Sequence, residues 1–254
     1  MNKTAHEAGE YVVRFRKLLQ GIDRIEVADL FLIPPFTAID RVRKESMGKF
    51  LVGAQNMHWA EWGPYTGEIS APMLRELGVD LVQLGHAERR QFFNESDQSI
   101  NRKVHCALHF GLRPLVCVGE DSEDRKSHVQ RETVARQLRI ALNGVPKDAM
   151  RQLIVAYEPF WAIGDSGITA EPEYVREMTQ LCRAVLAEMY GSEAEQKVAI
   201  IYGGSVNSST APQFLVEGQS DGVFVGRAAL DPETFAEIID ICLKRVGLSS
   251  LGPS

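Results

Sequence analysis

The chain has 254 residues, 44% of them hydrophobic and 24% charged, with a formal net charge of −6, an ordinary balance for a globular protein and a length that suits one large α/β barrel. It has no Lys/Arg-rich run to mark a nucleic-acid surface, no apolar stretch of ten residues to cross a membrane, and no apolar core behind its opening MNKTAHEAGE to mark a secretory signal. Its four cysteines, Cys106, Cys117, Cys182 and Cys242, lack CxxC or metal-ligand spacing and read as reduced thiols of a cytoplasmic protein.

In chain order, Thr4 and Glu7 form a capping box opening a helix through Leu19. Seven short apolar runs come next, each bounded by turn residues: VADLFLIPPF (27–36), FLVGAQN (50–56), DLVQLGH (80–86), RPLVCVGE (113–120), QLIVAYE (152–158), VAIIYGG (198–204) and DGVFVG (221–226). Their hydrophobicity is continuous rather than alternating, which marks strands covered on both faces of a parallel sheet. Amphipathic helices lie between them. EYVREMTQLCRAVLAEMY (173–190) aligns Val175, Met178, Leu181, Val185, Leu186 and Met189 on one stripe, and ETFAEIIDICLKRV (233–246) aligns Phe235, Ile238, Ile239, Cys242 and Leu243. With no linker and no low-complexity segment, residues 1–254 read as a single domain.

An alternating βα series of this length predicts a (β/α)8 barrel, with an open doubly wound sheet as the alternative. The strand ends favour the barrel. Gln55-Asn56, His86, Glu120, Glu158, Gly203-Gly204-Ser205 and Gly226-Arg227 all fall there, and a barrel gathers such ends on one face, where its active site forms. The count is seven strands, and the series begins on a helix.

Two of those ends suggest a reaction. In LGHAERR (84–90), His86 precedes a helical turn whose positive dipole end disfavours an imidazolium, and a neutral imidazole can donate to a carbonyl oxygen. In AYEPFWAIGDSG (156–167), Glu158 ends a strand beneath Pro159, Phe160, Trp161 and Ile163; closure of that cover would strip its water and raise its basicity toward a carbon acid. A base with a neutral electrophile is the pair that enolisation requires. YGGSV (202–206) and VGRAA (225–229) carry small residues that expose backbone N–H groups, and barrels often bind phosphate at such late loops.

LGHAERR, AYEPFWAIG, YGGSV and AQNMHWAEWGPYTGEIS resemble the signatures of the triosephosphate isomerase family across essentially the whole chain. The resemblance implies that Glu158 shuttles the proton between C1 and C2 of a small phosphorylated sugar and that His86 polarises its carbonyl, with no metal and no organic cofactor. It makes Pro159 to Gly167 a closing lid. Gly164, Ser205, Gly226 and Arg227 match positions whose backbone N–H groups hold phosphate, and Glu88 and Cys117 match supporting positions. The loop QNMHWAEWGPYTGE (55–68) is long for a βα connection. Its Trp59, Trp62 and Tyr65 suit an interface core, and the resemblance makes the protein a homodimer with Thr66 near the partner's site.

Three departures qualify the match. The family opens with a strand ending in an Asn and a catalytic Lys, whereas Met1-Asn2-Lys3-Thr4 matches the segment just after that Lys. The expectation is therefore a barrel without strand 1, in which Lys3 lies up to roughly 10 Å further along the chain than the missing Lys. Arg227 stands where the family has a second glycine. Ala87 replaces a serine, and the lid has one extra residue around Asp165-Ser166. These features also resemble the family branch acting on four-carbon ketose phosphates such as erythrulose phosphate, and an inactive member lacking the Lys is the other alternative. The triose reaction is the main expectation.

Overall fold

Each apolar run supplies one strand in the computed structural model, which describes residues 1–164 and 168–249. The strands are β1 (Phe31–Leu32), β2 (Leu51–Ala54), β3 (Leu81–Leu84), β4 (Arg113–Val118), β5 (Ile154–Tyr157), β6 (Ala199–Tyr202) and β7 (Gly222–Val223). Every neighbouring pair is parallel, and the sheet order repeats the chain order. Between and around them run α1 (Ala5–Leu19), α2 (Ile39–Ser46), α3 (Ala71–Glu76), α4 (Ala87–Phe92), α5 (Asp97–His109), α6 (Ser122–Lys126), α7 (Gln130–Ala141), α8 (Pro172–Tyr190), α9 (Ser192–Glu195), α10 (Ala211–Val216) and α11 (Pro232–Ser249).

The strand pleat sorts the side chains into two layers. Leu81, Leu115, Cys117, Ile154, Ala156 and Ile201 form an inner cluster. Their strand neighbours Val82, Leu84, Val116, Val118, Val155, Tyr157, Ile200 and Tyr202 face outward into the helices. The ring of Phe31 on β1 comes within 5.9 Å of the ring of Phe224 just past β7, so the sheet curls until its ends face each other across the interior. This is the wall of a (β/α)8 barrel, with β1 and β7 at its edges; no ladder joins those two among the described residues. The inner layer thins towards those edges, where Phe31, Ile33, Leu51, Ala199 and Phe224 are only partly buried.

The expected helices form for the expected reasons. Thr4 caps α1 with its hydroxyl while the Glu7 carboxylate accepts from the Thr4 N–H. The buried face of α1 stacks Phe15 on Phe235 of α11, ring centroids 5.1 Å apart, and the Tyr11 hydroxyl donates to the Ala229 carbonyl at 2.8 Å. On α8, Val175, Met178, Val185 and Leu186 are buried, with Leu181 and Met189 packed beside them. A buried cation ties α5 to the β2 end: Lys103 Nζ donates to Asn56 Oδ1 at 2.8 Å and pairs with Glu95. Burial pushes the Lys103 ammonium down, with Glu95 opposing the shift.

Register brings the strand ends level. Cys117 pairs with Ala156 and Ala156 with Ile201. The ladder then continues one step, as Glu158 N–H donates to Val118 O at 2.8 Å and Gly203 N–H to Tyr157 O at 2.9 Å. The ends of β3 to β6 therefore open on one surface.

Candidate active site

His86 is the N-cap of α4, and its Nδ1 accepts the Glu88 backbone N–H at 3.3 Å. A nitrogen that accepts this bond carries no proton, so the neutral ring holds its proton on Nε2. That Nε2 lies 3.6 Å from Glu158 Oε1. Helix α4 thus sets the tautomer and β5 delivers the carboxylate to the donor side. The Glu88 carboxylate is mostly exposed and stands 3.8 Å from Nδ1, so Glu88 supports His86 through its backbone.

Glu158 is 1% exposed. Burial raises its carboxyl above the ordinary carboxylate range, opposed by His86, the Cys117 thiol, the Ala87 N–H and Arg90. Its Oε2 is buried without a hydrogen-bond partner among the described residues. Cys117 is itself buried, and burial pushes its thiol well up, so it faces Glu158 as a neutral donor. On the other side, a Cβ at Gly203 would sit 2.8 Å from Glu158 Cγ; glycine is needed there for the carboxylate to fit.

The expected phosphate positions come together around the start of the lid. Ser205 Oγ donates to Ala162 O at 2.9 Å, and the Arg227 guanidinium donates to Gly164 O at 2.6 Å. Gly164 takes φ +87°, and a Cβ on Gly164 or Gly226 would meet no heavy atom within 4 Å. Both backbones therefore border open space. The Arg227 side chain lies along the lid's first residues, an arrangement the family's glycine cannot make. Asp165, Ser166 and Gly167, including the extra lid residue, lie outside the described residues.

The lid's near end is anchored by a residue to which strand-end reading gave no role. Glu120 is fully buried and accepts from Tyr157 Oη, from Trp161 Nε1 at 2.8 Å and from Tyr174 Oη at 2.8 Å. Burial raises its carboxyl, with those three donors opposing. The Arg125 guanidinium covers the Trp161 ring at 3.9 Å. Arg90 and Gln83 were missed as well; Gln83 Nε2 points at Cys117 Sγ, 3.7 Å away. A lone buried amide within an apolar run was the available signal.

The rings of the long loop differ in exposure. Trp59 is half-buried beneath Arg102, whose guanidinium lies 3.9 Å from the ring, because its own α5 supplies that cation. Trp62, Tyr65 and Thr66 are exposed, Trp62 at 76%. Lys3, just before α1, places Nζ 5.0 Å from the Tyr11 ring.

A family profile described as "Triosephosphate isomerase" matches residues 1–242. The chain belongs to the triosephosphate isomerase family. Its relatives include triosephosphate isomerases from Alkaliphilus oremlandii, 43% identical over 94% of this chain and 95% of the relative, and Acetivibrio thermocellus, 41% identical over 94% and 93%. That of Caldanaerobacter subterraneus is 42% identical over 94% and 95%. All three names carry the triose reaction; none supports the four-carbon or inactive alternatives. The described residues contain no helix long and apolar enough to cross a membrane.

Proposed function

We propose that this chain interconverts glycerone phosphate and glyceraldehyde 3-phosphate through an enediolate. The observation that carries the reading is the 3.6 Å approach of His86 Nε2 to a buried Glu158 carboxylate. In this reading Glu158 removes a proton from C1 while His86 Nε2–H donates to the carbonyl oxygen. The Nε2 proton passes to O2, Nε2 takes the O1 hydroxyl proton in its place, and Glu158 returns its proton to C2, which leaves the aldehyde at C1. Family membership supports the substrate class. The buried partnerless oxygen of Glu158 supports the base, since desolvation favours proton capture. Backbone N–H groups of Gly164, Ser205, Gly226 and Arg227 are assigned to the phosphate, on the strength of the open space at the two glycines. Cys117 and the Glu88 N–H act by orienting the pair. The chemistry as written uses no metal or organic cofactor.

The protein is further read as one barrel domain, a homodimer and a cytoplasmic enzyme. Exposed Trp62 and Tyr65 favour an interface at the long loop, and four free cysteines favour a reducing compartment. The test is turnover of glycerone phosphate by the chain and by Glu158→Gln. The proposal requires loss of turnover in the variant; equal rates would overturn it.

A further inference from the structure

Arg90 is a buried cation beside both halves of the site, and nothing in the proposed chemistry uses it. Its side chain is only 10% exposed. The guanidinium fork spans two strand ends: Nε donates to Gly85 O at 2.8 Å, and Nη2 donates to Cys117 O at 3.1 Å. Its third nitrogen pairs with Asp97 on α5. Gly85 is the residue directly before His86, and Cys117 is the residue whose thiol faces Glu158. Gly85 takes φ +76°, and a Cβ there would stand 2.6 Å from Ile100 and 3.1 Å from Arg90 Nη2. The backbone of Gly85 is thus pressed against the guanidinium that holds it.

We propose that Arg90 is a positioning residue, whose rigid fork joins the β3 and β4 ends and so fixes the separation of His86 from Glu158. Lysine cannot do this, because one ammonium lacks the planar pair of donors that reaches two carbonyls at once. Asp97, itself buried, holds the fork at its far side, with Arg136 Nε 4.0 Å from its other oxygen. Among the described residues, the charged and titratable groups that act on Glu158 include His86, Cys117 and Arg90, and Gly203 just past β6 borders its Cγ. Arg90 therefore has a second effect: its charge favours the ionised base, in opposition to burial.

This inference deepens the isomerase reading and rests on it, so its test separates the two. The full chain, Arg90→Gln and Arg90→Lys are compared by the Glu158 carboxyl titration, followed by 13C NMR with the signal assigned by its loss in Glu158→Gln. Steady-state turnover of glycerone phosphate and the thermal midpoint are measured beside it. Arg90→Gln is expected to raise the Glu158 midpoint. Its kcat should fall about tenfold or more, with KM changed by less than about threefold. Arg90→Lys should restore the midpoint and leave kcat low. The proposal is overturned by an unchanged Glu158 midpoint in Arg90→Gln, or by full turnover in Arg90→Lys. If Arg90→Gln does not fold, the lysine variant still decides the fork. A wild-type chain that titrates at Glu158 but turns over no triose phosphate would sink the isomerase reading alone.

Discussion

Glu158 ionises at a cost, and that cost has a direction in pH. Burial raises its native value above the ordinary 4.5, so the folded state holds this proton more tightly than the unfolded chain does. Below the unfolded value the carboxyl is neutral in both states and nothing is lost. As pH rises through the window between the unfolded and the raised native value, stability falls; above the window the loss is constant. Glu158→Gln should therefore match the wild-type thermal midpoint near pH 4 and exceed it by about 2 °C or more near pH 8. A difference that does not change with pH would show that burial does not penalise the charge. The base's reach gives a second expectation. Glu158→Asp withdraws the carboxylate by about 1 Å and should lower kcat at least about tenfold with the fold intact; an unaltered kcat removes Glu158 from the chemistry. Both residues of the pair were singled out in sequence by their strand-end positions and by the motifs LGHAERR and AYEPFWAIG that carry the family resemblance. Arg90 was not, because its partners are two carbonyls and an aspartate that only the fold assembles.

Among the elements, Glu120 carries most of the order around the lid's base. It joins the β4 end to Tyr157 of β5, to Trp161 and to Tyr174 of α8. Removing the carboxylate orphans three buried or half-buried donors, so Glu120→Ala should cost about 3 kcal/mol or more in urea unfolding. Glu120→Gln, which keeps an acceptor, should cost less than half as much. Equal losses would mean that packing alone holds the lid's root. The ion pair of Lys103 with Glu95 is the second such anchor; Glu95→Ala strands a buried ammonium and should cost about 3–5 kcal/mol by the same measurement. A loss below about 1 kcal/mol would show that water reaches Lys103 and satisfies it. The elements themselves were readable: α1 from its capping box, α8 from its apolar stripe, and all seven strands from continuous apolar runs bounded by turn residues. β1 and β7 are much shorter than their apolar runs, 2 residues each. Length of run reports burial, whereas strand length depends on neighbours in the ladder, and these two have a neighbour on one side only.

At the scale of the whole molecule, the barrel was legible from its strand order because continuous apolar runs separated by helices leave few other parallel arrangements. The Glu120 anchor at the lid's near end was not legible, since its three donors come from separate elements that only the fold assembles. The exposed Trp62 and Tyr65 lead to an assembly prediction: the chain sediments as a dimer at micromolar concentration, and Trp62→Asp shifts it toward monomer. A wild-type monomer there contradicts the interface. The central claim is that one carboxylate moves a carbon-bound proton between C1 and C2. It is tested most directly by following glycerone phosphate in deuterium oxide by 1H NMR. The account predicts glyceraldehyde 3-phosphate from the wild-type chain, with the C1 hydrogen at C2, or deuterium there where the protonated carboxylate exchanges first, and neither product nor exchange from Glu158→Gln. Product or exchange from the variant at the wild-type rate would contradict it.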